Sequence, residues 1–321
     1  MNWSNNLRRI ADIDPALNAK LGYRQISANA RMHQLIEEKT AQQILKGISI
    51  PPQPQIMVDL QFEMVMPEIN IGAIAKIITR DAGLSGCVLK VVNSPFFKLR
   101  SQITSISQAL NLLGVNNAVN IVNSLSIRNS LSDHAIAGLT QFWDNAIDVA
   151  MASAAISRSL GIQSPDEAYT LGLFHNCGIA LLMTKHQDYP EVLKAAYAEK
   201  EHRITDIENT RIDSNHSVIG YYVARAWKLP GYMAEAIADH HKTEQIFAEQ
   251  VNCDKQKKNL LATLKLAETI CGTYKTLGNA QQDHEFERIK KHILLYLGLS
   301  EYDFEDLRAE MLDLGLGQVL S

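Results

Sequence analysis

The sequence predicts an all-α protein: a multi-helix bundle with a smaller helical subdomain on its N-terminal side. Three observations carry this. Glycine (17) and proline (9) are scarce among 321 residues, about 8% against roughly 12% in average usage, which leaves few turns for a many-stranded fold. Apolar residues form 46% of the chain and recur at three- and four-residue intervals, the period of a helix with one buried face. No alternating run is long enough for a sheet, and there is no internal repeat, low-complexity tract or sustained heptad.

The elements follow in order. Residues 1–48 carry polar and charged helical stretches that end at Gln42-Gln43-Ile44-Leu45-Lys46-Gly47. Next comes Ile48-Ser49-Ile50-Pro51-Pro52-Gln53-Pro54, whose three prolines cannot continue a helix and fix a rigid connector. A domain boundary is therefore expected there. Residues 1–48 form an N-terminal extension, 49–245 the main domain, and 246–321 a C-terminal helical segment packing on the bundle. Within the main domain, Ile71, Ile74, Ile77 and Ile78 make one apolar stripe, and Leu84, Val88, Leu89, Val91 and Val92 make the next. Ser105-Ile106-Ser107-Gln108 is a capping-box pattern opening a helix that stops at Gly114. Val115, Val119 and Val122 start another stripe. Residues 49–130 thus read as a helical subdomain and 140–245 as a second run of amphipathic helices. Pro230 is placed as the first residue of one of these, and a strong helix is expected from Leu260 to Cys271.

Charge excludes some functions. Thirty-one basic and 35 acidic residues give −4 and a pI near 6.2, so no broad cationic footprint for nucleic acid is expected. The first residues lack an apolar core of the secretory kind, and no apolar run approaches the ~18 residues of a membrane span. Cys87, Cys177, Cys253 and Cys271 have no CxxC spacing and read as reduced thiols of a cytoplasmic protein rather than a zinc site.

Polar residues on apolar faces are the informative signal. Asn145 falls in the stripe Phe142, Asn145, Val149, Ala152, Ile156. His175 falls in Ala168, Leu171, His175, Ile179, Leu182, with Asn176 beside it. His216 heads Ile219, Val223, Trp227. His240 continues Met233, Ile237, with His241 following, and Glu268 shares a face with Leu261, Leu264 and Cys271. A buried polar group without a partner costs about 1–3 kcal/mol. The economical expectation is that these groups meet one another, or a bound ion or water, in one pocket. Each has a bland reading too: a locally satisfied core histidine, a helix-stitching amide, or, for Glu268, the edge of a face.

At these residues the sequence resembles the HDOD family, the non-catalytic relatives of HD and HD-GYP metal phosphohydrolases. The resemblance runs from about Ile50 to Lys242. It rests on Pro51-Pro52-Gln53-Pro54, on Arg80-Asp81-Ala82-Gly83-Leu84 leading to Asn93-Ser94-Pro95-Phe96, and on Gln108-Ala109-Leu110-Asn111-Leu112-Leu113-Gly114. Phe142-Trp143, Gly172-Leu173-Phe174-His175-Asn176-Cys177-Gly178, His216-Ser217, Trp227-Lys228-Leu229-Pro230 and His240-His241 complete it. Ala82 replaces the family's proline. The resemblance implies an HD-like bundle. Carried over from active relatives, the metal-binding positions are Asn145, His175-Asn176, His216, His240-His241 and Glu268. The doublet aspartate is Asn176 here and the early histidine is Asn145. Ile179 stands where HD-GYP enzymes have a lysine, and no Gly-Tyr-Pro segment follows His241.

An amide at 176 is a poor bridge between two cations, and phosphodiester hydrolysis at such sites uses metal-bound hydroxide and closely spaced cations. The expectation is therefore a non-enzymatic, bacterial signal-transduction module with no catalytic residues and other signalling proteins as partners. Its degenerate metal site would serve as a protein- or ligand-binding scaffold. No cofactor is expected, although His175, His216, His240 and His241 could hold a single transition-metal ion. The alternative is a metal-dependent phosphohydrolase, acting on cyclic dinucleotides, with an unorthodox site.

Overall fold

The computed structural model describes residues 45, 47–51, 53–93, 99, 101–131, 139–162 and 164–317. The helical stretches expected before Leu45 and the segment Ser94-Pro95-Phe96 lie outside the described residues. The chain divides into two units between Gly47 and Ile48, beside the proline connector, and the account below concerns the second. Among the described residues every regular element is a helix. None of these helices is long and apolar enough to cross a membrane.

The subdomain comprises α1 (Gln55–Met64), α2 (Ile71–Thr79), α3 (Ala82–Val92), α4 (Ile106–Leu113) and α5 (Val115–Leu131). Three of its helices start on a capping side chain that satisfies an otherwise orphaned amide. Asn70 accepts from the Ala73 amide at 3.0 Å, Asp81 from Leu84 at 3.0 Å and Ser105 from Gln108 at 3.2 Å. The expected capping box is half made: Gln108 Oε1 accepts from the Thr104 amide at 3.3 Å instead of from Ser105. Gly114 ends α4 at φ 78°, a left-handed conformation that favours glycine. Ile74, Ile78, Leu84, Val88, Ala109 and Leu110 fill the core, and α5 packs on the bundle helix Pro165–Phe174.

The bundle begins with the long α6 (Leu139–Leu160), followed by α7 (Pro165–Phe174), α8 (Cys177–Lys185), α9 (Tyr189–Ala198) and α10 (Ile204–Ile212). Next come α11 (His216–Ala226), α12 (Gly231–Asp239) and the short α13 (Thr243–Phe247). The last helices are α14 (Lys255–Ile270), α15 (Thr273–Gly278), α16 (His284–Leu297) and α17 (Glu301–Asp313). Pro230 caps α12 rather than forming its first residue. Trp143, Trp227, Tyr189, Phe142, Ile156 and Leu171 are fully or almost fully buried, each such apolar side chain contributing about 1.5–3 kcal/mol. Trp227 also donates from Nε1 to the Pro51 carbonyl at 3.0 Å, which ties the proline connector to the end of α11.

Within residues 246–317 one helix lies inside the bundle. Helix α14 begins five residues before the expected Leu260 and runs through the middle of the bundle, against α6, α7, α12, α15 and α16. Lys257, Asn259, Lys265 and Glu268 are buried on it beside its leucines. A helix buried on nearly all sides, with that many polar residues, must satisfy them internally. That requirement leads to the site.

Candidate functional site

Three histidines converge at the centre of the bundle. His216 is the first residue of α11, set there by Asn215, whose side chain accepts from the Val218 amide at 3.0 Å. His240 closes α12 and His241 follows it. A Cβ on Gly178 would collide with the His216 carbonyl, so only glycine lets α8 approach α11 this closely. All three imidazoles are buried. The Nε2 of His216 lies 3.1 Å from Nε2 of His240 and 3.0 Å from Nε2 of His241.

The opposite ring nitrogens fix the tautomers. His240 Nδ1 donates to the Ile237 carbonyl at 2.7 Å. His216 Nδ1 donates to Glu208 Oε2 at 2.7 Å, and the other oxygen of Glu208 accepts from the Tyr189 hydroxyl. His241 Nδ1 donates to Glu285 at 2.8 and 2.9 Å. With every Nδ1 turned outward as a donor, the Nε2 atom of His216 faces those of His240 and His241. Burial, then the neighbouring His241 and His216, holds the pKa of His240 well below the ordinary histidine value. Burial, then Lys265 and His216, does the same for His241. Imidazole nitrogens facing one another at this distance are held together by a proton or a metal cation between them. Nitrogens bound at 2.0–2.1 Å to one tetrahedral ion stand roughly 3.3 Å apart, close to the separations here. Imidazoles whose far nitrogens are held by carboxylates and a carbonyl are the usual outer support of such ligands. The residues fit a transition-metal ion held by His216, His240 and His241.

The other side of the pocket is built differently. His175 Nδ1 donates to the Gly172 carbonyl at 2.7 Å, and its Nε2 faces Glu268 Oε1 at 3.3 Å. The rings of His175 and His240 meet edge to face, 5.3 Å between centroids, so the two sides are contiguous. Lys265, one turn before Glu268, pairs with Glu268 Oε2 at 2.9 Å and with Glu285 Oε2 at 2.9 Å. Burial disfavours the Lys265 charge, but Glu268 and Glu285 outweigh it and hold the ammonium above the ordinary lysine value. Burial likewise pushes the Glu268 carboxyl up, and Lys265 and His175 reverse this to hold it well below the usual carboxylate range.

Of the residues singled out in the sequence, His175, His216, His240, His241 and Glu268 lie together. Asn176 is buried at the start of α8, and among the described residues its Oδ1 has no hydrogen-bond partner. Asn145 is the exception. It faces inward, but its amide donates to the Cys271 carbonyl at 3.3 Å and its Oδ1 accepts from Thr273 at 3.1 Å. It stitches α6 to the junction of α14 and α15, one of the bland readings open in the sequence. Glu208, Glu285, Lys265 and Tyr189 are functional neighbours that sequence reasoning missed. Glu208 sits on a helix with polar residues on every side, and Glu285 on a charged first turn. Only the Lys265–Glu268 spacing, three residues apart on one helix face, carried a readable signal.

The HDOD domain family model matches residues 50–243. An uncharacterized protein of Treponema pallidum (strain Nichols) is 26% identical over 199 residues, which cover 60% of this chain and 37% of that relative's length. A Shewanella amazonensis SB2B structure bearing a provisional phosphohydrolase name is similar with a TM-score of 0.62 at 20% identity, covering 87% of this chain and 98% of that one. An HDOD domain protein of unknown function from Geobacter sulfurreducens has a TM-score of 0.59 at 19% identity, covering 85% and 96%. A Marinobacter aquaeolei VT8 protein provisionally named for signal transduction has a TM-score of 0.61 at 17% identity, covering 84% and 59%. At these identities the structures establish the fold alone. The family match spans more than half the chain, and Lys265, Glu268 and Glu285 lie beyond its end: the chain belongs to the HDOD domain family.

Proposed function

We propose that this chain is a non-hydrolytic regulatory module of signal transduction, whose pocket holds one transition-metal ion as a structural and conformational anchor. The observation that carries the reading is the charge of the pocket. Glu268 and Glu285 share the buried Lys265 ammonium, Glu208 backs His216, and burial holds His240 and His241 below the ordinary histidine pKa. The carboxylates behind the cluster exceed the Lys265 ammonium, and the three converging Nε2 atoms give that surplus one ion to bind. A bound ion there supplies a Lewis-acid centre that ties α11, α12 and, through Glu285, α16 together. The chain's own residues do the rest: Glu208, Glu285 and the Ile237 carbonyl orient the rings, and the surrounding core excludes water.

A second neutral point is Asn176. An amide there offers no anionic bridge to a second cation, which in-line phosphodiester displacement at two-metal sites requires. The provisional phosphohydrolase name of the Shewanella relative keeps hydrolysis as the competing reading, and the signal-transduction name of the Marinobacter relative agrees with the regulatory one. The test is a metal count on protein purified without chelator or nickel resin, beside assays with manganese or iron on cyclic di-GMP and a generic phosphodiester. One ion per chain and no turnover is the expected result. Turnover abolished by both His175→Ala and His240→Ala would overturn the regulatory reading.

A further inference from the structure

We propose that Lys265 is a built-in cation that occupies the electrostatic place of a second metal ion and so fixes the ion count of the pocket at one. This rests on the one-ion reading above and names the residue that enforces it. Lys265 is 3% exposed, in mid-helix on α14, with both pairs at 2.9 Å to carboxylates that point into the pocket. A buried ammonium is retained only where such partners offset its desolvation. Its position links the two halves of the site: Glu285 supports His241 of the triad, and Glu268 faces His175.

The His175–Glu268 contact shows what Lys265 suppresses. With Nδ1 donated to the Gly172 carbonyl, Nε2 of His175 stands 3.3 Å from a Glu268 carboxylate oxygen. Among the described residues that nitrogen has no hydrogen-bond partner. An imidazole nitrogen and a carboxylate oxygen this close are two ligand types that a divalent transition ion accepts. The other oxygen of Glu268 pairs with the Lys265 ammonium at 2.9 Å. Removing the ammonium takes away the cation that Glu268 and Glu285 share. The His175–Glu268 pair then becomes the place where a second divalent ion gains most.

The test is zinc stoichiometry by mass spectrometry on chelated, then zinc-dialysed protein, with cobalt(II) spectra as a second readout. The full chain is compared with Lys265→Met and with Lys265→Gln, which keeps a donor without the charge. The expected counts are one ion for the unaltered chain and two for either variant. Lys265→Met combined with His175→Ala should fall back to one. One ion in both the unaltered chain and the Lys265 variants overturns this inference and leaves the one-ion reading intact. No ion in the unaltered chain refutes the one-ion reading itself; an ion gained by Lys265→Met would then still support the role given to Lys265. If the variants unfold without zinc, refolding with two ions supports the proposal. Failure to refold in zinc overturns it.

Discussion

The two sides of the pocket make opposite use of the same residue types. On one side His216, His240 and His241 aim their Nε2 atoms at a common point, with each Nδ1 held from behind by Glu208, Ile237 or Glu285. On the other, His175 and Glu268 face each other and the charge is met from within by Lys265. The first side is arranged to receive a cation, and the second already contains one. On the proposed one-ion reading, the Asn176 amide and the Lys265 ammonium set the charge of the pocket while its histidines keep their places.

The largest expected effect that can break this comparison comes from His216→Ala. It removes a ligand atom and leaves Glu208 with only the Tyr189 hydroxyl. Zinc affinity should fall more than about 100-fold, or about 2.8 kcal/mol, measured by competition with a chromophoric chelator. His175→Ala should change it by less than about threefold. Equal losses in the two variants would mean that the pocket has one side and not two.

Glu208→Gln sharpens the same comparison at the next level. The amide oxygen can still accept from His216 Nδ1, but the charge behind the ring is gone. Removing such an outer carboxylate costs about 10–100-fold in metal affinity. Thermal stabilisation by zinc should shrink accordingly, since a ligand at 100 times its dissociation constant adds about 2.7 kcal/mol. An affinity unchanged in Glu208→Gln would show that the carboxylate serves folding alone, through Tyr189, whose hydroxyl is held well above its ordinary pKa by burial and then by Glu208.

The part of this arrangement legible in the sequence was the part written as helical period. His175, His216 and His240 occupy positions where the 3.6-residue stripe demands an apolar side chain, so their inward direction followed from spacing alone. Their supports did not follow, because Glu208 and Glu285 come from other helices and only tertiary packing brings them to the rings. Helix α14 was legible as a helix but not as the centre of the bundle. Its lysines and amides lower its apparent apolarity, and the partners that permit their burial lie up to nearly 100 residues away in sequence, as with Asn259 donating to the Ile162 carbonyl at 2.8 Å. Lys265 and Glu285 lie past the end of the family resemblance near residue 242 and outside the stripe of Leu261, Leu264 and Cys271 that drew in Glu268.

Asn145 gives the smallest expected effect and the clearest limit of periodicity. Its stripe position points inward, and the family correspondence places it where active relatives have a metal-binding histidine. Its hydrogen bonds go to Cys271 and Thr273 instead, on either side of Gly272, whose left-handed φ of 68° turns the chain from α14 into α15. Asn145→Ala would leave a buried carbonyl and a buried hydroxyl unpaired. It should destabilise the fold by about 1–2 kcal/mol in urea unfolding while changing zinc affinity by less than about twofold. Thr273→Val alone should cost less than Asn145→Ala, and the double variant should fall short of the sum, because both changes remove the same bond. A zinc affinity that drops tenfold in Asn145→Ala would put this amide back among the metal's supports and extend the receiving side of the pocket onto α6.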